Sequence, residues 1–377
     1  MRSSLLFAAG VTPVLCDTHY FFSGFFSGTA IVGVEFDEAA STLTLANNIT
    51  TSATSGSKWI AIDAQKKNLF VGTTGAYQSY AITDDLSLTY QSNITISGDC
   101  TNANFITASP ESPYTVFATS YSEGCPTLAI SVGESGELEE NFANATYDSA
   151  AGVHGTALSP NNDFIYSADD MGNAVWVHSY DKETGTIEEV QYLAAADGSD
   201  SRHVTVHPNG QWVYVVYEAA NSIATYKRDT ATGELTFTNT TYSILPSGFT
   251  NSSSYWADEV LISIPSSSNS SATSPKYLLA ATRSRTTDIP GYVSAFALDS
   301  KTGAITEQLF LTPTTNSGGS ANAVSPAPFS EDYFAITDSG SNFIEMWKID
   351  ASGEETTAAP VAHLDLESGP ANVVWYS

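Results

Sequence analysis

The chain repeats itself at a period near fifty. One copy begins at Ser159-Pro-Asn-Asn-Asp-Phe-Ile-Tyr, continues through Asn173-Ala-Val-Trp-Val-His-Ser-Tyr-Asp and closes at Glu183-Thr-Gly-Thr-Ile. The frame returns 48 residues later as His207-Pro-Asn-Gly-Gln-Trp-Val-Tyr, Asn221-Ser-Ile-Ala-Thr-Tyr-Lys-Arg-Asp and Thr232-Gly-Glu-Leu. Further copies run from Lys276-Tyr-Leu-Leu-Ala-Ala-Thr-Arg to Thr302-Gly-Ala-Ile, and from Ser325-Pro to Asn342-Phe-Ile-Glu-Met-Trp-Lys-Ile-Asp. Weaker copies lie at Ser109-Pro and Asp63, and a partial one starts at Tyr20-Phe-Phe-Ser-Gly. Each unit reads as turn, strand, Asn- or Gly-bearing loop, alternating strand, Asp-x-x-Thr-Gly-type turn, strand. A unit of about 40–50 residues with about four short strands is the mark of a propeller blade. The expectation is an all-β fold, a single seven-bladed β-propeller of four-stranded blades over residues 17–377. The C-terminal Asn372-Val-Val-Trp-Tyr would complete the first blade and leave no open sheet edge. The polar run Ser266–Pro275 reads as a surface insertion.

Composition agrees and narrows the partners. Ser and Thr number 92 while Lys and Arg total 13, so polarity is carried by hydroxyls, which suits strands and turns. With 41 Asp and Glu the formal net charge is −28, which repels phosphate backbones and anionic headgroups. Nucleic-acid and membrane partners are therefore not expected; a small carboxylate or lactone ligand is. Met1-Arg2 followed by an apolar stretch to Cys16 has the layout of a secretory signal over residues 1–16, which predicts a secreted, extracellular or cell-wall protein. Removal of that leader leaves Cys100 and Cys125, a plausible disulfide in an exported chain. Asn-x-Ser/Thr sequons occur at Asn48, Asn93, Asn144, Asn239, Asn251 and Asn269. They are candidate glycosylation sites.

A propeller binds its ligand at a mouth of the central channel, so ionisable residues at the repeat edges are the candidates. No GxGxxG, GxSxG, HExxH or EF-hand pattern occurs, and no metal or cofactor is called for. Four residues stand out. His154, in Gly152-Val-His-Gly155, precedes what reads as an inner strand, and Arg202 holds the equivalent place one repeat later. Glu218 follows Tyr214-Val-Val-Tyr217, and Arg283 follows Leu278-Leu-Ala-Ala-Thr, both read as exits of inner strands. Entrances and exits of one strand lie at opposite channel ends, which leaves their convergence open. The alternative for each is a strand-end histidine or a surface ion pair. His203 and His207 read as structural, and Asp169-Asp170 lacks further spaced ligands for a metal.

Gly152-Val-His-Gly, Ser167-Ala-Asp, Ser201-Arg-His-Val-Thr-Val-His-Pro, Glu218-Ala-Ala-Asn and the segment Gln308–Pro326 resemble the fungal carboxy-cis,cis-muconate cyclases. These are seven-bladed propellers related to 6-phosphogluconolactonase-type lactonases. The resemblance implies a catalytic set of His154, Arg202, Glu218 and Arg283. The chain departs from the family pattern at Asp200-Ser201 and at Ser320. By this resemblance a substrate carboxylate adds across a conjugated double bond to close a lactone. Arg202 and Arg283 would hold carboxylates and stabilise enolate-like charge, and His154 or Glu218 would move the proton. Two other functions stay open: a sugar-lactone hydrolase, and a non-catalytic exported glycoprotein that uses the propeller as an antigen or binding module.

Overall fold

Blade 4 shows what each repeat builds. In the computed structural model its strands Val153–Leu158, Phe164–Asp169, Ala174–Tyr180 and Ile187–Ala194 pair antiparallel in that order, from the axis outward. The second strand, Phe-Ile-Tyr-Ser-Ala-Asp, is buried along its whole length, whereas the outer strand carries Glu188 and Glu189 into solvent. The turn into the outer strand is an Asx turn: the Asp181 carboxylate accepts the N–H groups of Glu183 and Thr184 at 2.8 and 3.1 Å. Gly185 then adopts φ +72°, a conformation side chains disfavour. Asp229 and Gly233 repeat this device in blade 5, and Asp299 and Gly303 in blade 6. The Asn of the loop between second and third strands is equally specific, since Asn173, Asn221 and Asn342 all take left-handed φ near 50–60°.

The structure describes residues 18–28, 30–51, 56–249, 252–265, 274–317 and 320–377. These form seven four-stranded sheets, and the fold is an all-β seven-bladed propeller. The inner strands are Ser57–Ile62, Ala103–Ala108, Val153–Leu158, Ser201–Val206, Tyr255–Ile262 and Val324–Pro326 for blades 2 to 7. Blade 1 takes its inner strand from the other end of the chain: Pro370–Trp375 pairs with Thr18–Phe25 in the register Phe21↔Trp375 and Phe22↔Val374. The core lies between neighbouring blades. Tyr166, Val175 and Val177 of blade 4 pack on Val213, Val215 and Ala224 of blade 5, all essentially without exposure. Burying such side chains is worth about 1.5–3 kcal/mol each.

Cys100 and Cys125 form a disulfide, with Cα atoms 5.6 Å apart. Asn48, Asn93, Asn144 and Asn239 are exposed, and each lies on the outermost strand of its blade. Residues 1–16, Asn251, Asn269 and most of the 266–275 insertion lie outside the described residues.

Candidate active site

The inner strands of blades 3 to 6 share an irregular start. Each pairs with its second strand in a register that skips one residue: Asn104, His154, Arg202 and Asp258 in turn. A β-bulge re-aims the side chain of the extra residue, and these four meet at one end of the channel. Antiparallel pairing brings the ends of the second strands to the same place. There Tyr121, Asp170 and Glu218 follow the second strands of blades 3 to 5, and Arg283 lies near the end of Tyr277–Ser284 in blade 6. This corrects the reading of Glu218 and Arg283 as exits of inner strands. They stand on second strands, so exit and entrance share one end, and His154 and Arg202 lie within the inner strands.

The structure brings Arg202, Glu218 and Arg283 into one buried cluster. Glu218 Oε2 lies 3.0 Å from Arg202 Nε, 3.1 Å from Arg202 Nη1 and 3.5 Å from Arg283 Nη2. The second anchor is Asp258, whose Oδ1 pairs with Arg283 Nη1 and lies 3.6 Å from Arg202 Nη1. Its Oδ2 accepts the Asn322 N–H at 3.0 Å. Burial pushes the Asp258 carboxyl up to about 6, against the pull of Arg283 and Arg202. Asp170, hydrogen-bonded by the Tyr121 hydroxyl, is likewise pushed up to about 6 by burial and then by Glu218. Burial opposes the charge of both arginines. It lowers Arg283, whereas Glu218 and Asp258 outweigh it at Arg202 and raise that guanidinium. Two arginines therefore face three carboxylates, Glu218, Asp258 and Asp170. The pocket is not a basic patch.

His154 sits beside this cluster without a carboxylate partner of its own. Its Nδ1 is 2.9 Å from His203 Nε2, and the Tyr121 ring meets it edge-on with centroids 4.8 Å apart. The Asn104 amide nitrogen lies 3.3 and 3.4 Å from its two ring nitrogens and donates to its carbonyl at 3.3 Å. Burial, then Arg202, His203 and Arg283, holds its pKa well below the usual 6.5, so the ring is neutral. The glycine after it leaves space for a neighbour, since a Cβ on Gly155 would lie 2.7 Å from His203 Cδ2.

Asp169 and Asp170 part company. Asp169 accepts the N–H groups of Gly152 and Gly172 and the Trp176 indole N–H, a clasp within blade 4. His207 accepts the Asn209 N–H at 3.1 Å in a turn and is structural. His203 is not confined to packing, for it touches His154. A cavity of about 500 Å³ opens to solvent between Trp256, Arg283, Ser320, Ser339, Asn342 and Glu367, and of the cluster residues it is Arg283 that lines it. The guanidinium groups of Arg283 and Arg285 lie 4.8 and 3.9 Å from the Trp256 ring centroid. Sequence reading missed Asn104, Tyr121 and Asp258, took His203 as structural and weighed Asp170 only as a metal ligand. The signal for Asn104 and Asp258 was present: they hold the repeat position of His154 and Arg202.

A seven-bladed propeller with ionisable groups gathered at one end of its channel defines a small-ligand site. Comparison with known proteins narrows the class. The family described as "Lactonase, 7-bladed beta-propeller" matches residues 20–308. The carboxy-cis,cis-muconate cyclase of Neurospora crassa is 31% identical over 335 residues, 85% of this chain and 88% of that protein. Muconate cycloisomerase 1 of Cutaneotrichosporon cutaneum is 32% identical over 63% of each chain. Among solved structures, the periplasmic gluconolactonase PpgL of Pseudomonas aeruginosa superposes with a TM-score of 0.78 at 16% identity. That match covers 95% of this chain and 99% of the other, a likeness of fold. The chain belongs to the seven-bladed β-propeller lactonase family that also holds the fungal carboxymuconate cyclase.

Proposed function

We propose that the chain interconverts a small unsaturated carboxylate of the carboxymuconate kind and its five-membered lactone. The observation that carries this reading is His154: a buried, neutral imidazole beside two arginines that Glu218 and Asp258 hold in place. In the opening direction the imidazole takes a proton from the carbon next to a side carboxylate. The electron pair forms the double bond, and the C–O bond of the lactone ring breaks to release the second carboxylate. Enolate-like charge on the side carboxylate is met by the forked donors of Arg202 and Arg283. The closing direction runs the same steps backward and starts from protonated His154. Glu218 is engaged by both arginines, which makes it their anchor and leaves the proton to His154.

The test follows the ultraviolet absorbance of a carboxymuconate and of its lactone with purified protein. Arg283→Ala is expected to lower kcat/KM by about 10²–10³-fold, the cost of losing one preorganised donor. Turnover no greater than that variant's background, in both directions, would overturn the reading and leave a ligand-binding propeller without catalysis. A second reading, hydrolysis of a hydroxylated sugar lactone, is favoured by the mouth, where Ser27, Ser320, Ser339 and Asn342 supply hydroxyl and amide groups. An arginine pair already matched by three carboxylates also suits a neutral ring better than a trianion. Acid release from gluconolactone in the same preparation separates the two.

A further inference from the structure

Beside His154 a second pair of groups, His203 and Glu259, stands one residue further along the inner strands of blades 5 and 6. His203, on the inner strand of blade 5, faces His154 with its Nε2 and Glu259 with its Nδ1, which is 2.7 Å from Glu259 Oε1. That contact is close but lies off the Nδ1–H direction, so His203 Nδ1 has no aligned acceptor among the described residues. The ring is walled by Trp59 and Phe105, with centroids 5.1 and 5.3 Å away and both edge-on. Glu259 is 4% exposed and His203 is 2% exposed. A buried carboxylate needs partners for its charge: Glu259 Oε1 accepts the Val260 N–H at 3.2 Å and its charge helps hold Arg202 protonated, with no Lys or Arg within ion-pair distance of it among the described residues. Among the described residues the titratable groups facing His203 are Glu259 and His154, with Arg202 within reach of the Glu259 charge; those facing His154 are Arg202, Arg283, Tyr121 and His203.

We propose that Glu259 and His203 form a positioning relay for His154, fixing its tautomer and balancing the charge it gains with a proton. The relay rests on the reading of His154 as the proton-transferring group. The charge of Glu259, 2.7 Å from His203 Nδ1, favours the tautomer protonated at that nitrogen, which leaves His203 Nε2 as an acceptor. His203 Nε2 then takes the Nδ1–H of His154, and this leaves the lone pair of His154 on Nε2. When Nε2 takes the substrate proton, His154 becomes an imidazolium, and no bond in the relay need break. Its positive charge is offset by Glu259 across His203, and the proton leaves Nε2 again in the reverse step. The arginines make that protonation costly, so the Glu259 carboxylate sets how costly. Gly155 belongs to the same arrangement, because only a residue without a Cβ lets the His203 ring lie where it does.

Glu259 also lines a separate cavity of about 400 Å³ in the other half of the channel, together with Trp59, Phe105, His203, Thr156 and Thr205. Thr156 is 3% exposed and its hydroxyl has no partner among the described residues. The relay thus ends at a space with polar groups to hold water, remote from the substrate mouth.

The experiment reads the histidines directly and then the reaction. In protein labelled with ¹⁵N-histidine, the ring nitrogens are expected to show His203 protonated at Nδ1 and His154 at Nδ1 near neutral pH. Glu259→Gln, an isosteric change, should move the His154 titration to lower pH, and Glu259→Asp should restore part of that shift. On substrate, Glu259→Gln should lower kcat by about 10–100-fold, the range seen when partners behind an active group are removed, with KM little changed. The acid limb of the rate profile should move with the His154 titration. His203 protonated at Nε2 in the unmodified protein, or a His154 titration and tautomer unaltered by Glu259→Gln, would overturn the relay. If the unmodified protein turns over no lactone or muconate, the functional reading fails. The ring-nitrogen spectra still decide the relay in that case, and they do so without needing any variant to fold.

Discussion

At the scale of single residues the decisive fact is that the two site arginines are already matched. A substrate carboxylate must draw Arg202 and Arg283 away from Glu218 and Asp258, so its binding depends on the charge of those anchors. Burial brings Asp258 and Asp170 up to about 6, and a carboxyl raised this way gives up its charge well above its ordinary 3.8. As pH falls through 6 the cluster loses the negative charges of Asp258 and Asp170 that offset the arginines. His154 stays neutral through that window because its own pKa is held down. A muconate-type dicarboxylate should therefore bind several-fold more tightly at pH 5 than at pH 7, measured by calorimetry at fixed ionic strength. Affinity that is flat, or that weakens toward pH 5, would show the anchors do not control the arginines. The folding linkage of the two residue types runs in opposite senses. The raised aspartates bind protons in the native state between 6 and 3.8, so their contribution to stability grows as pH falls through that window. Native His154 resists a proton the unfolded chain accepts below 6.5, so its contribution is present above 6.5 and is lost on acidification.

At the scale of elements the working unit is the bulged start of the inner strand, paired with the end of the second strand. In blade 3 this unit carries Asn104 and Tyr121, and the disulfide ties its two ends together. Cys100 closes the short Gly98–Cys100 helix just before the inner strand, and Cys125 follows the second strand. The cross-link therefore holds the two segments that place an amide and a phenol against His154. Cys125→Ser is expected to lower unfolding free energy by about 3 kcal/mol, the loop-entropy value for a closure of this length. Chemical denaturation of the oxidised protein and the variant measures it. Equal midpoints would mean the surrounding loops, not the bond, set the geometry of blade 3. The bulge also explains what the sequence conveyed of the site. His154 and Arg202 were legible because they recur in register 48 residues apart and are rare residue types in this chain. Asp258 occupies the same register but is one of 41 acids, so its type carried no signal. His203 and Glu259 stand one place further along their strands, and their meeting with His154 depends on the curvature of three blades, which no local pattern encodes.

At the scale of the whole molecule the fold was legible because each turn has its own chemistry: Asp and Gly at one bend, left-handed Asn at the next. The ring's closure was legible too: the first copy is incomplete and Asn372-Val-Val-Trp-Tyr reads as its missing strand, so one strand from each end of the chain joins in blade 1. Trp375 and Val373 pack into the cluster with Phe21, Val34 and Tyr333. The Asn372 side chain accepts the Ile60 N–H at 3.0 Å and donates to the Ile60 carbonyl at 2.9 Å, clasping blade 1 to blade 2. Loss of the strand costs those contacts and opens one new sheet edge, that of Thr18–Phe25, toward the channel. Large buried side chains are worth about 2–5 kcal/mol each, and a domain's whole margin is about 5–15 kcal/mol. A chain ending at Gly369 should therefore fail to give one cooperative unfolding transition and should associate through its exposed edge. Asn372→Ala keeps the strand and removes only the clasp. It should unfold cooperatively at a lower temperature, with a loss of about 1–3 kcal/mol for each of the two Ile60 backbone groups left without a partner. Thermal unfolding by circular dichroism and size-exclusion chromatography report both. A monomeric truncated chain that melts with the full-length protein would mean that the ring is held by blade-to-blade packing alone, and that closure contributes nothing to it.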